Sequence, residues 1–397
     1  MILQYETPEV ITKVDGVECA GVRVKGGGLG IVKCEGKAVG VFTKNRFKAA
    51  PVIVTEEHLK NGFIKGIIVN SGNANAYTGE EGVKNALKMA EMLAEKLECD
   101  RKEVLVSSTG VIGVQLNMDW IESLFREVYP QIGSDEENSW KFAKSITTTD
   151  SFTKQWGVRI GDVVVAGVAK GAGMIAPNMA TMLAYVFTDA KIDCSFIKEV
   201  AEKTFNSITV DGDTSTNDTF ILVSTEKKAC DEKRVKKAVE HVCSVLAEMI
   251  VADGEGATKL MRVFVNGAKS EREAKKVAKA VASSTLVKTA LFGCDANWGR
   301  IIAAIGYSGI DVDEKLDIAI VGGSWRAEEA FSGCKNEKVF IVKDGKDTGK
   351  RSVASEIMKK SDVVEFHIDL KAGKCKACVV GCDLSYEYVR INSEYTT

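Results

Sequence analysis

The run VVVAGVAKGAGMIAPNMATMLAYVF, Val163 to Phe187, is the most apolar stretch of the chain, and its reading decides which kind of fold the remainder can join. A helix that crosses a bilayer needs about 20 consecutive, mainly apolar residues. Here Lys170, Gly171, Gly173, Pro177 and Asn178 break the run, which makes it too polar for a membrane span. The whole chain agrees: 45% hydrophobic and 27% charged residues are the proportions of an ordinary globular protein, with enough apolar side chain to fill sizeable cores. Its 397 residues exceed what one core usually organises, so two domains or two closely packed halves are expected.

Working outward, the part before the run reads as short strands: CAGVRV (19–24), LGIVKC (29–34), AVGVFT (38–43), PVIVT (51–55) and GIIVN (66–70), with Gly26, Gly27 and Gly28 as a turn signal. Two amphipathic helices follow. Between Glu81 and Leu97, Val83, Ala86, Leu87, Ala90, Leu93, Ala94 and Leu97 recur at three- and four-residue intervals, and MDWIESLFREVY (118–129) is a shorter segment of the same kind. Past the run come a helix from Ser195 to Asn206, the strand TFILVST (219–225) and a long helix with Asp231 as N-cap. Its buried stripe is Val235, Ala238, Val239, Val242, Val245, Leu246 and Met249. A further helix opens at Ser270, with Glu273 three residues on completing a capping box. The C-terminal part returns to strands: LDIAIVG (316–322), KVFIV (338–342), VVEFHIDL (363–370) and CKACVVGCDLSYEYVRI (375–391). Helices and strands mix without regular alternation, which argues for the α+β class over a Rossmann-type α/β sheet. No low-complexity linker separates two domains.

Charge and rare residues narrow the function. With 53 basic against 55 acidic residues the net charge is −2, which offers no field to hold a polyanion, so nucleic acid is a poor partner. MILQYETPEV at the start has neither a cationic nor an apolar export segment, and the 11 cysteines are an odd number; both favour reduced thiols in the cytosol. Cys375, Cys378 and Cys382 have metal-like spacing, but they sit in a β-branched and aromatic run without a fourth ligand nearby. They read as strand, and no metal is expected. Only three histidines exist, and His241 and His367 fall in helical and strand-like patterns, so proton transfer is expected to use another group.

Four places carry polar residues worth weighing. VLVSSTGVIG (104–113) is a strand ending in Ser107, Ser108, Thr109 and Gly110, where hydroxyls and free N–H groups at a turn suit an oxyanion site. The frequency of such turns favours the plainer reading, a strand exit. In KGAGMIAPNMATMLAYVFTDA (170–190) two glycines allow close approach of a ligand, and Thr181 follows the small Ala180. Its order is reversed from a phosphate-binding glycine-lysine loop. A lone threonine can be a nucleophile where its own α-amine, with a pKa of roughly 7.7–8.0, serves as base. That requires cleavage of the Ala180–Thr181 bond, which residues alone make a minority reading. In VADGEGATKLMRV (251–263), Asp253 and Glu255 stand among glycines; recognition of a substrate ammonium and a helix C-cap before a strand both stay open. Last, YVRINSEYTT places Asn392 after a strand and Thr397 at a terminal carboxylate, where most chains are frayed.

The 170–190 run resembles the cleavage and nucleophile motif of the ornithine acetyltransferase family, the glutamate N-acetyltransferases of arginine biosynthesis. The resemblance continues through NSGNANAYTG (70–79), SSTGVIG (107–113), TTTDSFTK (147–154), NSITVDGDTSTND (206–218), DGEGATK (253–259), GCDANWGRI (293–301) and GCDLSYEYVRIN (381–392), nearly the whole chain in order. It implies a layered α-β-β-α arrangement like that of certain aminopeptidases, and a chain that cuts itself between Ala180 and Thr181. The products would be an α chain, 1–180, carrying the oxyanion site, and a β chain, 181–397, starting with the nucleophile and ending in a substrate-closing segment, interlocked and expected as α2β2. Thr181 would take acetyl from N2-acetyl-L-ornithine and pass it to L-glutamate. Thr109 and Gly110 match the oxyanion pair, and Thr148, Lys170, Thr181, Glu255, Asn392 and Thr397 match substrate-binding positions. Lys170 would meet a carboxylate and Glu255 the ornithine ammonium. Ser151 stands where a threonine often follows TTD, which leaves the binding threonine between Thr148 and Thr149. No cofactor is expected, with acetyl-CoA left open as a second acetyl donor. The rival readings are a hydrolase with the same nucleophile and water as acceptor, and an uncut small-molecule-binding protein in which Thr181 is a core residue.

Overall fold

The computed structural model describes Met1, residues 7–176 and residues 182–394. Two compact units make up the described chain, one taking residues 7–206 with 213–250, the other Met1, 207–212 and the chain from 251 onward.

In the first unit β1 (Val17–Val24) and the 16-residue β2 (Gly27–Phe42) form a hairpin. After them come α1 (Ala50–His58), β3 (Phe63–Asn73), α2 (Gly79–Leu97), β4 (Val104–Val111), α3 (Met118–Val128), α4 (Glu136–Ser145) and β5 (Lys154–Ile160). The unit continues through β6 (Val163–Lys170), β7 (Leu183–Ala190), α5 (Ile197–Lys203), β8 (Thr219–Lys228) and α6 (Glu232–Ala252). The strands lie in the order β4-β3-β2-β8-β7-β6-β5, with β1 beside β2. The β3–β4 and β7–β8 pairs are parallel and the others antiparallel.

Side chains alternate across a strand, so each half of this sheet has two faces to cover. Val32, Ile67, Val69 and Leu105 from the β2–β4 half share one buried cluster with Val164, Val168, Tyr185, Phe187, Ile221 and Val223 from the β6–β8 half. On the other face of the first half, Leu29, Ile31, Ile68 and Val106 meet Val54 of α1, Met89 and Leu93 of α2, and Ile121 and Leu124 of α3. On the second half, Leu246 of α6 closes over Gly167 of β6, where an added Cβ would come within 2.9 Å of it. Phe205, just after α5, packs edge-on to Phe220 of β8. The result is helix, sheet, sheet, helix, the α+β layering expected. Both β6 and β7 are buried along their whole length, which explains why the run from Val163 is so apolar.

The second unit holds β9 (Leu260–Ala268), α7 (Glu271–Ala282), α8 (Thr285–Phe292), α9 (Trp298–Gly306), β10 (Asp317–Gly323) and β11 (Val339–Lys343). It ends with β12 (Lys346–Asp347), α10 (Arg351–Lys359), β13 (Val363–Asp369), β14 (Cys375–Cys382) and α11 (Tyr386–Glu394). The sheet order is β12-β11-β10-β13-β9-β14, with β9 and β13 parallel. Val263, Val265, Val364 and Ile368 pack beneath Val277 and Val281 of α7 and Met358 of α10. Ser270 caps α7 by accepting the Glu273 N–H at 3.2 Å.

Three expectations are corrected. PVIVT lies inside α1 rather than in a strand: Pro51 sits in the first turn, where its missing N–H costs nothing, and burial of Ala50, Val52 and Val54 outweighs β-branched propensity. LGIVKC and AVGVFT are one continuous strand, β2. The strand read from Cys375 stops at Cys382, and SYEYVRI enters α11, so Asn392 lies on a helix and does not follow a strand. Among the described residues, no helix is long and apolar enough to cross a membrane.

Candidate active site

In the first unit several sequence-predicted residues meet at one end of the strands. Thr109 and Gly110 lie near the end of β4, Lys170 closes β6, and Lys170 pairs in register with Leu183, the first residue of β7. Lys170 is only 4% exposed, and its Nζ donates to the Thr109 Oγ1 at 3.1 Å and the Thr148 Oγ1 at 2.9 Å. A hydroxyl that accepts from an ammonium keeps its own proton to give away. Thr109 therefore presents a donor with a positive charge behind it, the arrangement that stabilises a developing oxyanion. Gly110 has φ +133°, and a Cβ there would lie 2.3 Å from the Gly72 carbonyl carbon of β3, so glycine is the residue that fits. Of the two candidate threonines, Thr148 is the one whose hydroxyl reaches Lys170.

Asp150 organises this corner, and sequence reasoning gave it no role although it lies in the TTTDSFTK motif. Its Oδ1 accepts from the Lys154 Nζ at 2.6 Å and from the Gly171 N–H at 2.8 Å, and its Oδ2 accepts from the Thr148 N–H at 2.9 Å. It thus fixes the backbone on both sides of the Lys170 cluster. Burial pushes its carboxyl up, yet the Lys154 and Lys170 charges and these hydrogen bonds hold it well below the usual carboxylate range. The Asp150 and Lys154 side chains are both fully buried, so the pair is one neutral unit within the fold.

In the second unit, Glu255 stands between α6 and β9, and Asn392 of α11 donates its Nδ2 to the Glu255 Oε2 at 2.8 Å. Around them Asp383 accepts the Thr258 N–H at 2.8 Å and the Lys259 N–H at 3.1 Å, with the Thr258 hydroxyl on its other oxygen. The Ser385 hydroxyl donates to the Gly256 carbonyl at 2.6 Å. Glycine is required at 256, because φ is +71° and a Cβ would meet the Tyr388 backbone nitrogen at 2.5 Å. Sequence patterns pointed to Glu255 and Asn392 but not to Asp383, whose role appears only once β14 and the 253–259 segment are side by side. Ala180, Thr181 and Thr397 lie outside the described residues. Among the described residues, no group of three His, Cys, Asp or Glu side chains is placed to hold a metal ion.

The ArgJ family matches the chain over residues 14–397. An Archaeoglobus fulgidus protein named arginine biosynthesis bifunctional protein ArgJ is 47% identical over 396 residues, covering 98% of this chain and 100% of its own. A Methanocaldococcus jannaschii protein named glutamate N-acetyltransferase is 44% identical over 411 residues, 98% of each chain. Among solved structures, that of arginine biosynthesis bifunctional protein ArgJ from Bacillus halodurans is 40% identical, with a TM-score of 0.46 over 53% of this chain and 98% of that one.

Proposed function

The chain belongs to the ArgJ family, and from that premise we propose that it is an acyltransferase of arginine biosynthesis that moves acetyl from N2-acetyl-L-ornithine to L-glutamate. The proposed nucleophile is Thr181, released as an amino-terminal residue by self-cleavage of the Ala180–Thr181 bond into chains 1–180 and 181–397. The Thr181 hydroxyl oxygen attacks the acetyl carbonyl, and its proton passes to the Thr181 α-amine. That amine then protonates the departing nitrogen as ornithine leaves, and an acetyl ester stays on the threonine. The glutamate α-amine attacks the ester, loses its proton to the same amine, and the proton returns to the Thr181 oxygen as acetylglutamate departs. Thr109 and Gly110 face the carbonyl oxygen in both tetrahedral intermediates, each donor worth roughly 10²–10³ in rate. The amine's proton transfer is worth about 10²–10⁴.

Thr148, Lys170, Thr181, Glu255, Asn392 and Thr397 are the proposed substrate contacts, with Glu255 taking the ornithine ammonium. The observation that carries the proposal is the buried Lys170 ammonium bonded to the Thr109 and Thr148 hydroxyls at the strand end where β7 begins. We assign the enzyme to the cytoplasm as an α2β2 assembly without a cofactor, and leave acetyl-CoA as a second donor to be assayed. The decisive experiment pairs intact-mass measurement of the purified protein with product analysis from acetylornithine and glutamate. Fragments 1–180 and 181–397 together with acetylglutamate are expected. A single uncut species would count for a binding protein, and acetate in place of acetylglutamate for a hydrolase.

A further inference from the structure

The described residues that border 177–181 are Ala176 on one side and Met182 on the other, and one short segment holds both. The Thr214 hydroxyl donates to the Ala176 carbonyl at 3.0 Å, and Ile175 and Thr214 form an isolated antiparallel bridge. Four residues later, the Asp218 Oδ1 accepts the Met182 N–H at 2.9 Å, the amide that directly follows Thr181. The Thr219 N–H donates to the Met182 carbonyl at 3.0 Å, so Met182 is gripped on both of its peptide groups.

Between those two anchors, Asn217 reaches the oxyanion side of the site. Its Nδ2 donates to the Ser108 carbonyl at 2.8 Å and to the Ala74 carbonyl at 2.6 Å. The Ser108 carbonyl belongs to the peptide group whose N–H is that of Thr109. Asn217 is itself fixed: its Oδ1 accepts the Thr216 hydroxyl at 2.6 Å and its N–H reaches the Ser215 Oγ at 3.1 Å. Ser108 is tied in turn, its hydroxyl donating to the Asn70 Oδ1 at 2.5 Å.

Asp218 is fully buried, and its Oδ2 has no hydrogen-bond partner among the described residues. The Thr43 hydroxyl stands beside the carboxyl but donates to the Ser215 carbonyl at 2.6 Å. A buried carboxyl with one satisfied oxygen needs a reason to persist, since leaving a polar atom unpaired is costly. Burial raises it well above the usual carboxylate range, against the pull of the Met182 N–H, Thr43 and the Lys170 charge.

We propose that Thr214–Asp218 is the positioning element of the acyl-transfer site, with Asp218 setting the peptide after Thr181 and Asn217 setting the peptide before Thr109. Adjacent residues of one chain then tie the Met182 amide, just before β7, to the Thr109 peptide near the end of β4, and the relative position of those two peptides bears on acyl transfer. This rests on the reading of Thr181 as nucleophile. The test uses full-length protein with Asp218→Ala, Asp218→Asn and Asn217→Ala beside wild type, reading the cleaved fraction by intact mass, then kcat and KM for acetylornithine, and the unfolding midpoint.

A displacement of about 1 Å in such a site costs roughly 10²-fold, so Asp218→Ala and Asn217→Ala are expected to lose about 10- to 100-fold in kcat with KM nearly unchanged. Asp218→Asn keeps a carbonyl acceptor of the same size and is expected to recover to within about threefold of wild type. An Asp218→Asn enzyme no better than Asp218→Ala overturns the proposal. So do alanine variants whose unfolding midpoint falls while kcat stays at the wild-type value, since that is the mark of a merely structural role. Wild-type protein that gives neither fragments nor acetylglutamate overturns the underlying reading as well, whereas wild-type turnover beside undiminished alanine variants overturns this inference alone.

Discussion

Asp150 and Asp218 are both buried and both feel the Lys170 charge, yet their carboxyls move in opposite directions. Asp150 has Lys154 in contact at 2.6 Å and backbone N–H donors on both oxygens, so it is held as an anion. Its folded value lies below the unfolded one, so the stability it supplies is present above about pH 3.9 and is lost as pH falls below that. Asp150→Ala strands the Lys154 ammonium in the interior without this carboxylate, and a loss of roughly 3–5 kcal/mol is expected in urea unfolding near neutral pH. A loss below about 1 kcal/mol would show that the pair is dispensable. For Asp218 the sign reverses. Its native state keeps a proton that the unfolded chain releases above about pH 3.9, so its burial costs more stability as pH rises. Asp218→Asn removes that cost. The variant is expected to be at least as stable as wild type at about pH 8, with a flatter pH dependence above about pH 4. A variant with the wild-type slope would place the proton uptake elsewhere.

At the scale of elements, the second unit's loop 253–259 is fastened to the stretch between β14 and α11 by the Asp383 carboxylate, which takes two backbone N–H groups and a hydroxyl. Asp383 is 3% exposed, and each buried donor left unpaired costs roughly 1–3 kcal/mol. Asp383→Ala is therefore expected to lose several kcal/mol and to speed amide exchange at Thr258 and Lys259 ahead of the β9 core; exchange unchanged at those two amides would rule the fastening out. Amphipathic elements such as α2 and α6 were legible in the sequence because one face is apolar, and periodicity sees a face. Around α1 the buried residues point to different clusters, Val54 to one and Val52 to another, so no stripe forms and PVIVT read as a strand. The opposite failure is α11, which buries no residue and is held by Arg390 pairing with Glu387 and Glu394, so only its β-favouring composition was visible. At the site, Thr109, Gly110 and Lys170 were readable as motif residues. Asp150, Asn217 and Asp218 were not, because an acidic or amide residue in a Ser/Thr-rich run reads as a turn former until tertiary burial gives it partners.

At the scale of the whole molecule, the topology bears on what the proposed self-cleavage at Ala180–Thr181 would do. β2 and β6 lie before that bond, and β7 and β8 after it, yet the sheet order is β2-β8-β7-β6. The two strands after that bond are thus inserted between strands before it, with β8 laddered to β2 from Lys37 to Phe42 and β7 laddered to β6 from Val165 to Lys170. Cutting one peptide bond removes neither ladder. Leu183, Val186 and Phe187 are each at most 1% exposed, and burying such a side chain is worth roughly 1.5–3 kcal/mol, so drawing β7 out would forfeit several of these terms along with both rows of hydrogen bonds. The chains 1–180 and 181–397 are therefore expected to co-elute in native size-exclusion chromatography and to separate only in denaturant, while Thr181→Ala gives one uncut chain with the same native elution. Fragments that part in native buffer would mean that the interleaved sheet does not hold them together, and the active site could not then be shared between them.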